Sequence, residues 1–517
     1  MNAGMPLRDG VVRRYVSAYC PRCHDTTGVR DVRRLAAVLV ERDEKVWLER
    51  GCPDHGRIST LYDEDARILD WLEQWTAPTK QHGVDAPGSW EPVPGGYLGG
   101  LGELQTQHTC ILLQDVVETC NLRCPTCFAD SSPDLAGVVP VEEVLANLDQ
   151  RIAREGGRLD VLMLSGGEPT LHPELPRLLD EVARRDVVRV LINSNGVKIA
   201  RDDALLDAIA AHRDRVEVYL QYDGSSAEAS KHHRGADLRA LKAEAIARLS
   251  ERGIFTTLTM TAALGVNDGE IGDVLRVAMS TPYVGGVAIQ PVFGSGRSES
   301  IDATERLTHT GVLKRLDAQT GGVVTWRDLT ALPCSHPHCC SVGYLLRDDA
   351  GQWRSLVALI GAERLREHLG LVANRIADRG LPRELGTAVR ESLLGLLSEQ
   401  SSLSHPNVGD LWRDVCENCD LGIGSLLKLA AARLPGRQKA LRQMLGERVV
   451  RVTVKPFMDI DTMIEERLLQ CCVHVGTRSE TQDQCAPFCA VQAWPELSAQ
   501  RLSVTAGQRA LPLVEVR

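Results

Sequence analysis

Aromatic side chains are scarce here: Phe, Trp and Tyr together make up 4% of 517 residues. The core must therefore be filled mostly by Leu, Val, Ile and Ala. No apolar run is long enough to span a bilayer. The opening residues, MNAGMPLRDGVVRRYV, lack the apolar centre of a signal peptide, and the compartment implied is the cytoplasm. Positive charge is not in excess, since the formal net charge is −10, which argues against a broad nucleic-acid footprint. Neither an HExxH pair nor a GxSxG elbow occurs, so zinc-hydrolase and serine-hydrolase chemistry find no foothold. Hydrophobic residues still reach 43%, enough for a globular chain of two or three domains.

Cysteine, by contrast, is plentiful, with 16 residues. In a reducing compartment these are better read as metal ligands than as disulfides. An isolated one such as Cys110 suits a buried thiol, but tight CxxC spacings do not. Four regions follow from their distribution. Residues 1–75 form a small metal domain in which Cys20, Cys23, Cys52 and His55 make a CxxC…CxxH pattern around the strand-like stretch LAAVLVERDEKVWLER. Such paired knuckles suit one tetrahedral ion, either zinc or the iron of a rubredoxin-like site. Cys110 is the alternative to His55 as fourth ligand. Residues 76–109 are a Gly/Pro-rich linker, residues 110–330 a barrel core, and residues 331–517 a cysteine-bearing C-terminal region.

The core alternates apolar runs with amphipathic segments. ILLQDVVE, LDVLMLSGG, VVRVLINSNG, VEVYLQYDG, FTTLTMTAAL and VGGVAIQPVFGSG read as strands. VEEVLANLDQRIAREG and four later segments read as helices between them. Six strands separated by helices imply an α/β fold with a parallel sheet, either doubly wound or a partial barrel. Polar turns follow the strands repeatedly, and C-terminal strand ends are where parallel folds carry ligands.

After the first of these strands comes ETCNLRCPTCFAD, with Cys120, Cys124 and Cys127. Three thiolates on one short loop can hold three irons of a 4Fe–4S cluster and leave the fourth open to an outside ligand. CNLRCPTC after the first strand, with SGGEPT after the second, resembles the radical S-adenosylmethionine (radical SAM) superfamily. The resemblance implies a partial (β/α)6 barrel of the TIM type, with S-adenosylmethionine chelating the open iron and being cleaved reductively to a 5′-deoxyadenosyl radical. It also implies an electron donor of the reductase or flavodoxin type. Carried over by position, Cys120, Cys124 and Cys127 hold the cluster, Gly166, Gly167 and Glu168 receive the methionyl amino group, and Phe128 packs beside the cofactor. Asn195, Gln221 and Asp223 lie near its ribose or carboxylate. Arg297 is either a carboxylate partner or a solvated loop arginine.

CPxC…CPxHG, CSHPHCC, KPFMDIDT, CCVHV and PFCA extend the resemblance to tetraether lipid synthase and related radical SAM methyltransferases. Members carry auxiliary clusters and a rubredoxin-like mononuclear site. One or two auxiliary 4Fe–4S clusters would draw on Cys334, Cys339, Cys416, Cys419, Cys471, Cys485 and Cys489, with His336, His338 or Cys110 as reserve ligands. This sequence lacks the cysteine run that archaeal relatives carry just before the barrel. The leading functional expectation is C–C bond formation on lipid alkyl chains, with peripheral membrane contact following from such a substrate. The alternative is C-methylation of a pterin or another small metabolite, and a distant third is a non-catalytic iron–sulfur scaffold. A lipid calls for an apolar tunnel and a pterin for a short polar pocket.

Overall fold

Apolar alternation decides the small N-terminal sheet, and one charged turn divides it. LAAVLVERDEKVWLER, expected as one strand-like stretch, is two strands, β2 (Val32–Arg42) and β3 (Lys45–Cys52), paired antiparallel with Arg42 opposite Lys45. Asp43 and Glu44 between them take φ of 51° and 61°, the positive values that a two-residue hairpin turn needs. β1 (Val11–Tyr19), β4 (Gly56–Asp63) and the short β5 (Trp90–Glu91) complete a five-stranded antiparallel sheet. The structure is a computed structural model. It describes residues 10–27, 32–75, 90–91, 101, 105, 107–298, 301–332, 335–348, 350–362, 438–477 and 484–494. Cys334, Cys416, Cys419 and most of the 76–109 linker lie outside those residues.

The six apolar runs of the core form β6 (Ile111–Val117), β7 (Leu159–Gly166), β8 (Val187–Ser194), β9 (Val216–Gln221), β10 (Thr256–Ala262) and β11 (Val284–Pro291). Each pairs in parallel with the next in chain order. Helices Val141–Arg154, Leu175–Ala183, Asp203–Ala211, Arg239–Glu251 and Ile271–Ser280 cross between them. They turn stripes such as Val144, Leu145 and Leu148 onto the sheet. This is the α/β partial barrel expected, and its end strands do not pair with each other among the described residues. One crossover helix, Ala227–Arg234, has no apolar periodicity to announce it; Ser226 caps its start and Gly235 ends it at φ 79°. No helix among the described residues is long and apolar enough to cross a membrane.

The C-terminal region supplies further strands to the same sheet. β12 (Thr330–Ala331), β13 (Ser341–Arg347) and β14 (Trp353–Ser355) lie outside β15 (Val449–Val454), which runs parallel to β11. At the opposite edge β16 (Val473–Thr477) runs parallel to β6, and β17 (Gln484–Pro487) turns back along it. The segment between β15 and β16 also carries the N-terminal sheet. Ala18 bridges Ile464, Ser17 N donates to Glu466 Oε1 at 3.1 Å, Arg50 donates to Asp461 O at 2.8 Å, and Arg34 pairs with Glu465.

That segment is fastened to the barrel by a buried ion pair, Arg306 to Asp459 at 2.6 and 3.1 Å. Burial alone would raise the Asp459 pKa, but Arg306 outweighs it and holds the carboxyl below its ordinary value. Arg306→Met strands a buried carboxylate and should cost about 3–5 kcal/mol of stability, read by calorimetry. Because the folded pKa is depressed, the pair's contribution is present above the ordinary carboxylate range and lost as pH falls through the folded value. The difference between wild type and variant should therefore narrow as pH drops below about 4.

Candidate functional site

Strand ends assemble the N-terminal metal set. Cys20 follows β1, Cys23 sits in helix Pro21–Thr27, Cys52 ends β3, and His55 lies in the turn before β4. One ligand atom from each falls within 4.8 Å of all the others. His55 Nδ1 is 3.5, 3.5 and 3.6 Å from the sulfurs of Cys20, Cys23 and Cys52, and Cys23 and Cys52 sulfurs are 3.7 Å apart. A tetrahedral ion bonded to sulfur at about 2.3 Å and nitrogen at about 2.0 Å spaces its ligand atoms at roughly 3.4–3.8 Å, so the set fits. Burial and the other two sulfurs push Cys23 up to about 12. Burial also acts to raise Cys52, but N–H groups of Asp54 and His55 overcome it and bring that thiol down to about 7. The rubredoxin-like four-sulfur alternative does not form. Cys110 is buried in the barrel core, with its sulfur 3.4 Å from His108 Nε2.

The three-cysteine loop sits at the C-terminal mouth of β6. Cys120 and Cys124 are buried and Cys127 is half-buried. Neighbouring backbone grips the loop from three sides. Gly167 N donates to Val117 O at 2.7 Å and Glu168 N to Thr119 O at 2.9 Å. A Cβ on Gly166 or Gly167 would collide with the carbonyl of Val117 or Thr119. On the second side Arg297 N donates to Cys127 O at 3.0 Å, and its guanidinium donates to Cys124 O, Ser131 O and Asp130 at 2.7–2.8 Å. On the third, His233 Nδ1 of helix Ala227–Arg234 meets Thr126 Oγ1 at 3.1 Å.

One expectation changes accordingly, that for Arg297; Gly166 and Gly167 press against the cysteine loop and also line the cavity above it. Arg297 is neither a free carboxylate partner nor a solvated arginine; its guanidinium is spent holding the loop.

Glu168, 1% exposed, lines the cavity above the loop. Its Oε1 accepts from Thr170 N, Thr170 Oγ1 and Ser194 Oγ, and its Oε2 accepts from Asn195 N at 2.7 Å. Asn195 Nδ2 reaches Asn121 Oδ1 at 2.7 Å and the Cys120 sulfur at 3.6 Å. Asp223, placed by sequence near the ribose or carboxylate, is instead buried and paired bidentately with Arg234 at 2.6 and 2.7 Å. Gln221 accepts from the same guanidinium at 2.9 Å and donates to Asn193 at 2.7 Å. Arg234 therefore stands at the cavity wall in place of Asp223. Burial acts to lower its pKa, but Asp223 and Cys124 outweigh that and keep it charged. Burial, then Glu168, then the other two cysteines push Cys120 up to about 12, and burial raises Cys124 too. Three sulfurs on one loop, with Arg234 beside Cys124, are the ligand set that an iron cluster would take.

The cavity encloses about 1280 Å³ including its open mouth. Phe128, Phe293, Phe457 and Phe488 all line it, four of the 5 phenylalanines in the chain.

Residues 116–278 match the model of the Radical SAM superfamily, and residues 12–64 match that of the HMPTM N-terminal zinc ribbon domain. This chain is a radical SAM enzyme. It is 25% identical over 493 residues to the 7,8-dihydro-6-hydroxymethylpterin dimethyltransferase of Methanocaldococcus jannaschii, a match covering 91% of each chain. Shorter matches are to mycofactocin maturase MftC of Mycobacterium ulcerans, 28% identical over 37% of this chain and 49% of that one, and to the subtilosin biosynthesis protein AlbA of Bacillus subtilis, 26% identical over 28% and 32%. The radical SAM domain implies a 4Fe–4S cluster and S-adenosylmethionine, and the Cys3His set is that of a zinc ribbon.

Residues that sequence reasoning did not single out are Arg234, Lys455, Phe293, Phe457 and Phe488, all at the cavity. Their one signal is phenylalanine's rarity: KPFMDIDT and PFCA each carry one of the five.

Two measurements follow. Gly167→Ala should bind far less iron than wild type after anaerobic reconstitution, with Arg297→Ala intermediate, both read by iron content and cluster absorbance. Cys52→Ser should lose the ribbon's zinc by elemental analysis and lower the melting temperature, because structural zinc contributes folding energy directly.

Proposed function

We propose that this radical SAM enzyme is a C-methyltransferase acting on a pterin or a similarly flat, polar heterocycle. The cavity's composition carries the reading. Its floor is a row of polar side chains from successive strand ends, Asn193, Gln221, Thr261 and Gln290, with Lys455 just beyond β15. Its other wall is phenylalanine. Phe457 and Phe488 have centroids 4.5 Å apart, with Phe293 at 5.5 and 6.2 Å from them and Phe128 at 5.6 Å from Phe488. Rings offer faces to a flat π-system, and the polar row offers hydrogen bonds to its edge. An alkyl chain would bring no hydrogen bonds to that polar row, so lipid coupling draws less support than methylation. The near full-length likeness to a pterin dimethyltransferase supports the same choice.

When bound, the cluster and S-adenosylmethionine supply hydrogen-atom abstraction from an unactivated carbon. Cys120, Cys124 and Cys127 would hold that cluster, with Glu168, Asn195 and Gln221 around its ligand and Phe128 beside it. The chain's part is to set the substrate carbon within reach and keep water away.

An auxiliary 4Fe–4S cluster on Cys339, Cys471 and Cys489 belongs to the same proposal. Cys339 and Cys489 both add to the raised pKa of Cys471, after burial and Cys472. Arg467 Nε donates to the Cys339 sulfur and Met458 N to the Cys489 sulfur, both at 3.3 Å, as thiolates require. Cys485 is in β17, within the apolar cluster that also holds Cys340 and Cys472.

Reconstituted enzyme should make 5′-deoxyadenosine from S-adenosylmethionine and a strong reductant. With 6-hydroxymethyl-7,8-dihydropterin deuterated at its saturated carbons, that product should carry deuterium. Transfer from a deuterated lipid and none from the pterin would overturn the reading in favour of lipid coupling.

A further inference from the structure

Two hydroxyls in the cavity have no role so far. Tyr219 on β9 and Thr259 on β10 line it, yet they are only 2% and 1% exposed. Neither hydroxyl has a hydrogen-bond partner among the described residues. Leaving a buried hydroxyl unpaired is costly, and native interiors hold few of them. Two such residues line one cavity from adjacent strands, where a bound polar group could supply the missing partner.

They neighbour Gln221, which Thr259 faces across the strands, and stand apart from the cysteine loop. The cysteine loop and the GGE run follow β6 and β7, whereas Tyr219 and Thr259 stand across the sheet on β9 and β10. Around them lie Gln290 of β11 and Lys455, whose Nζ is 5.7 Å from the Tyr219 ring centroid. A hydroxyl either donates or accepts. The edge of a pterin alternates a carbonyl, ring nitrogens and an amino group, so a pair of hydroxyls suits it and an alkyl chain leaves both unmet.

We infer that Tyr219 and Thr259 are specificity-determining residues that hydrogen-bond the edge of a planar heterocycle whose face rests on Phe457 and Phe488. The inference rests on the heterocycle reading above and adds the groups that read the substrate. A site built to pair such polar groups rejects analogues that leave them unmet.

The test is equilibrium binding of 6-hydroxymethylpterin to the reconstituted full-length enzyme, followed by the ligand's fluorescence. Tyr219→Phe and Thr259→Val, both close in shape to the residue replaced, should each weaken binding by about ten-fold or more. Iron content, S-adenosylmethionine affinity and substrate-free 5′-deoxyadenosine formation should stay at wild-type levels. Thr259→Ser keeps the hydroxyl and should bind as wild type does. Binding unchanged in both variants, a Thr259→Ser loss equal to that of valine, or a loss falling on S-adenosylmethionine instead would each overturn the assignment. If wild type ignores the pterin but binds a purine, and the variants lose that purine, the pterin reading falls while the role of the two hydroxyls stands. If wild type binds neither heterocycle, both readings fall together.

Discussion

The contact between the GGE run and the cysteine loop governs the rest of this molecule. Carbonyl oxygens of Val117 and Thr119 stand where side chains at Gly166 and Gly167 would have to be. Only residues without a Cβ let these two runs exchange hydrogen bonds. Through them β7 sets the height of the cysteines above the barrel. Glu168, next in the chain, is locked by Thr170, Ser194 and Asn195 and ties that height to β8. Gly296 and Arg297, after β11, close the same loop from across the mouth. A loop that is mostly turn is thereby held from three sides, as a preorganised site requires.

The cavity beyond the loop is built by the other end of the chain. Phe457 follows β15, and Phe488 begins the helix after β17. Both segments lean on the zinc ribbon: Ala18 bridges Ile464, the Tyr19 ring meets Trp494 at 5.5 Å, and His24 bonds Ala493 O at 2.6 Å. The Cys3His set lies in this N-terminal sheet, and an ion held there would brace the aromatic wall. Two metal chemistries would thus divide the labour, one holding the wall in place and the other supplying reactivity at the cysteine loop.

Much of this was legible from local pattern. Six apolar runs with helical spacers became β6–β11, and CxxC…CxxH became a four-ligand cluster, because both signals lie within short windows. What escaped depends on contacts between distant residues. β15 and β16 read as part of a cysteine-rich tail, since nothing in VVRVTV or VHVGT tells which strand they will join. Asp223 looked like a ligand contact, and only the helix after it shows that Arg234 takes up its charge. Side-chain chemistry leaves Arg297 open between a carboxylate partner and a solvated loop, and only the fold shows that its partners are Asp130 and two carbonyls of the cysteine loop. The aromatic wall comes from four separated positions, so no window of sequence contains it.

The edge strands also have a bearing on how the protein is made. β6–β11 are complete by Pro291, but β15, which covers the β11 edge, begins at Val449, and β16, which covers β6, begins at Val473. A ribosome delivers these in order, so both flanks of the parallel sheet stay unsatisfied while the intervening residues emerge. Open strand flanks invite pairing with other chains. The last strands to be synthesised are therefore the ones that seal the sheet, and a chain shortened before Val449 would carry all three radical SAM cysteines on a sheet with two bare edges.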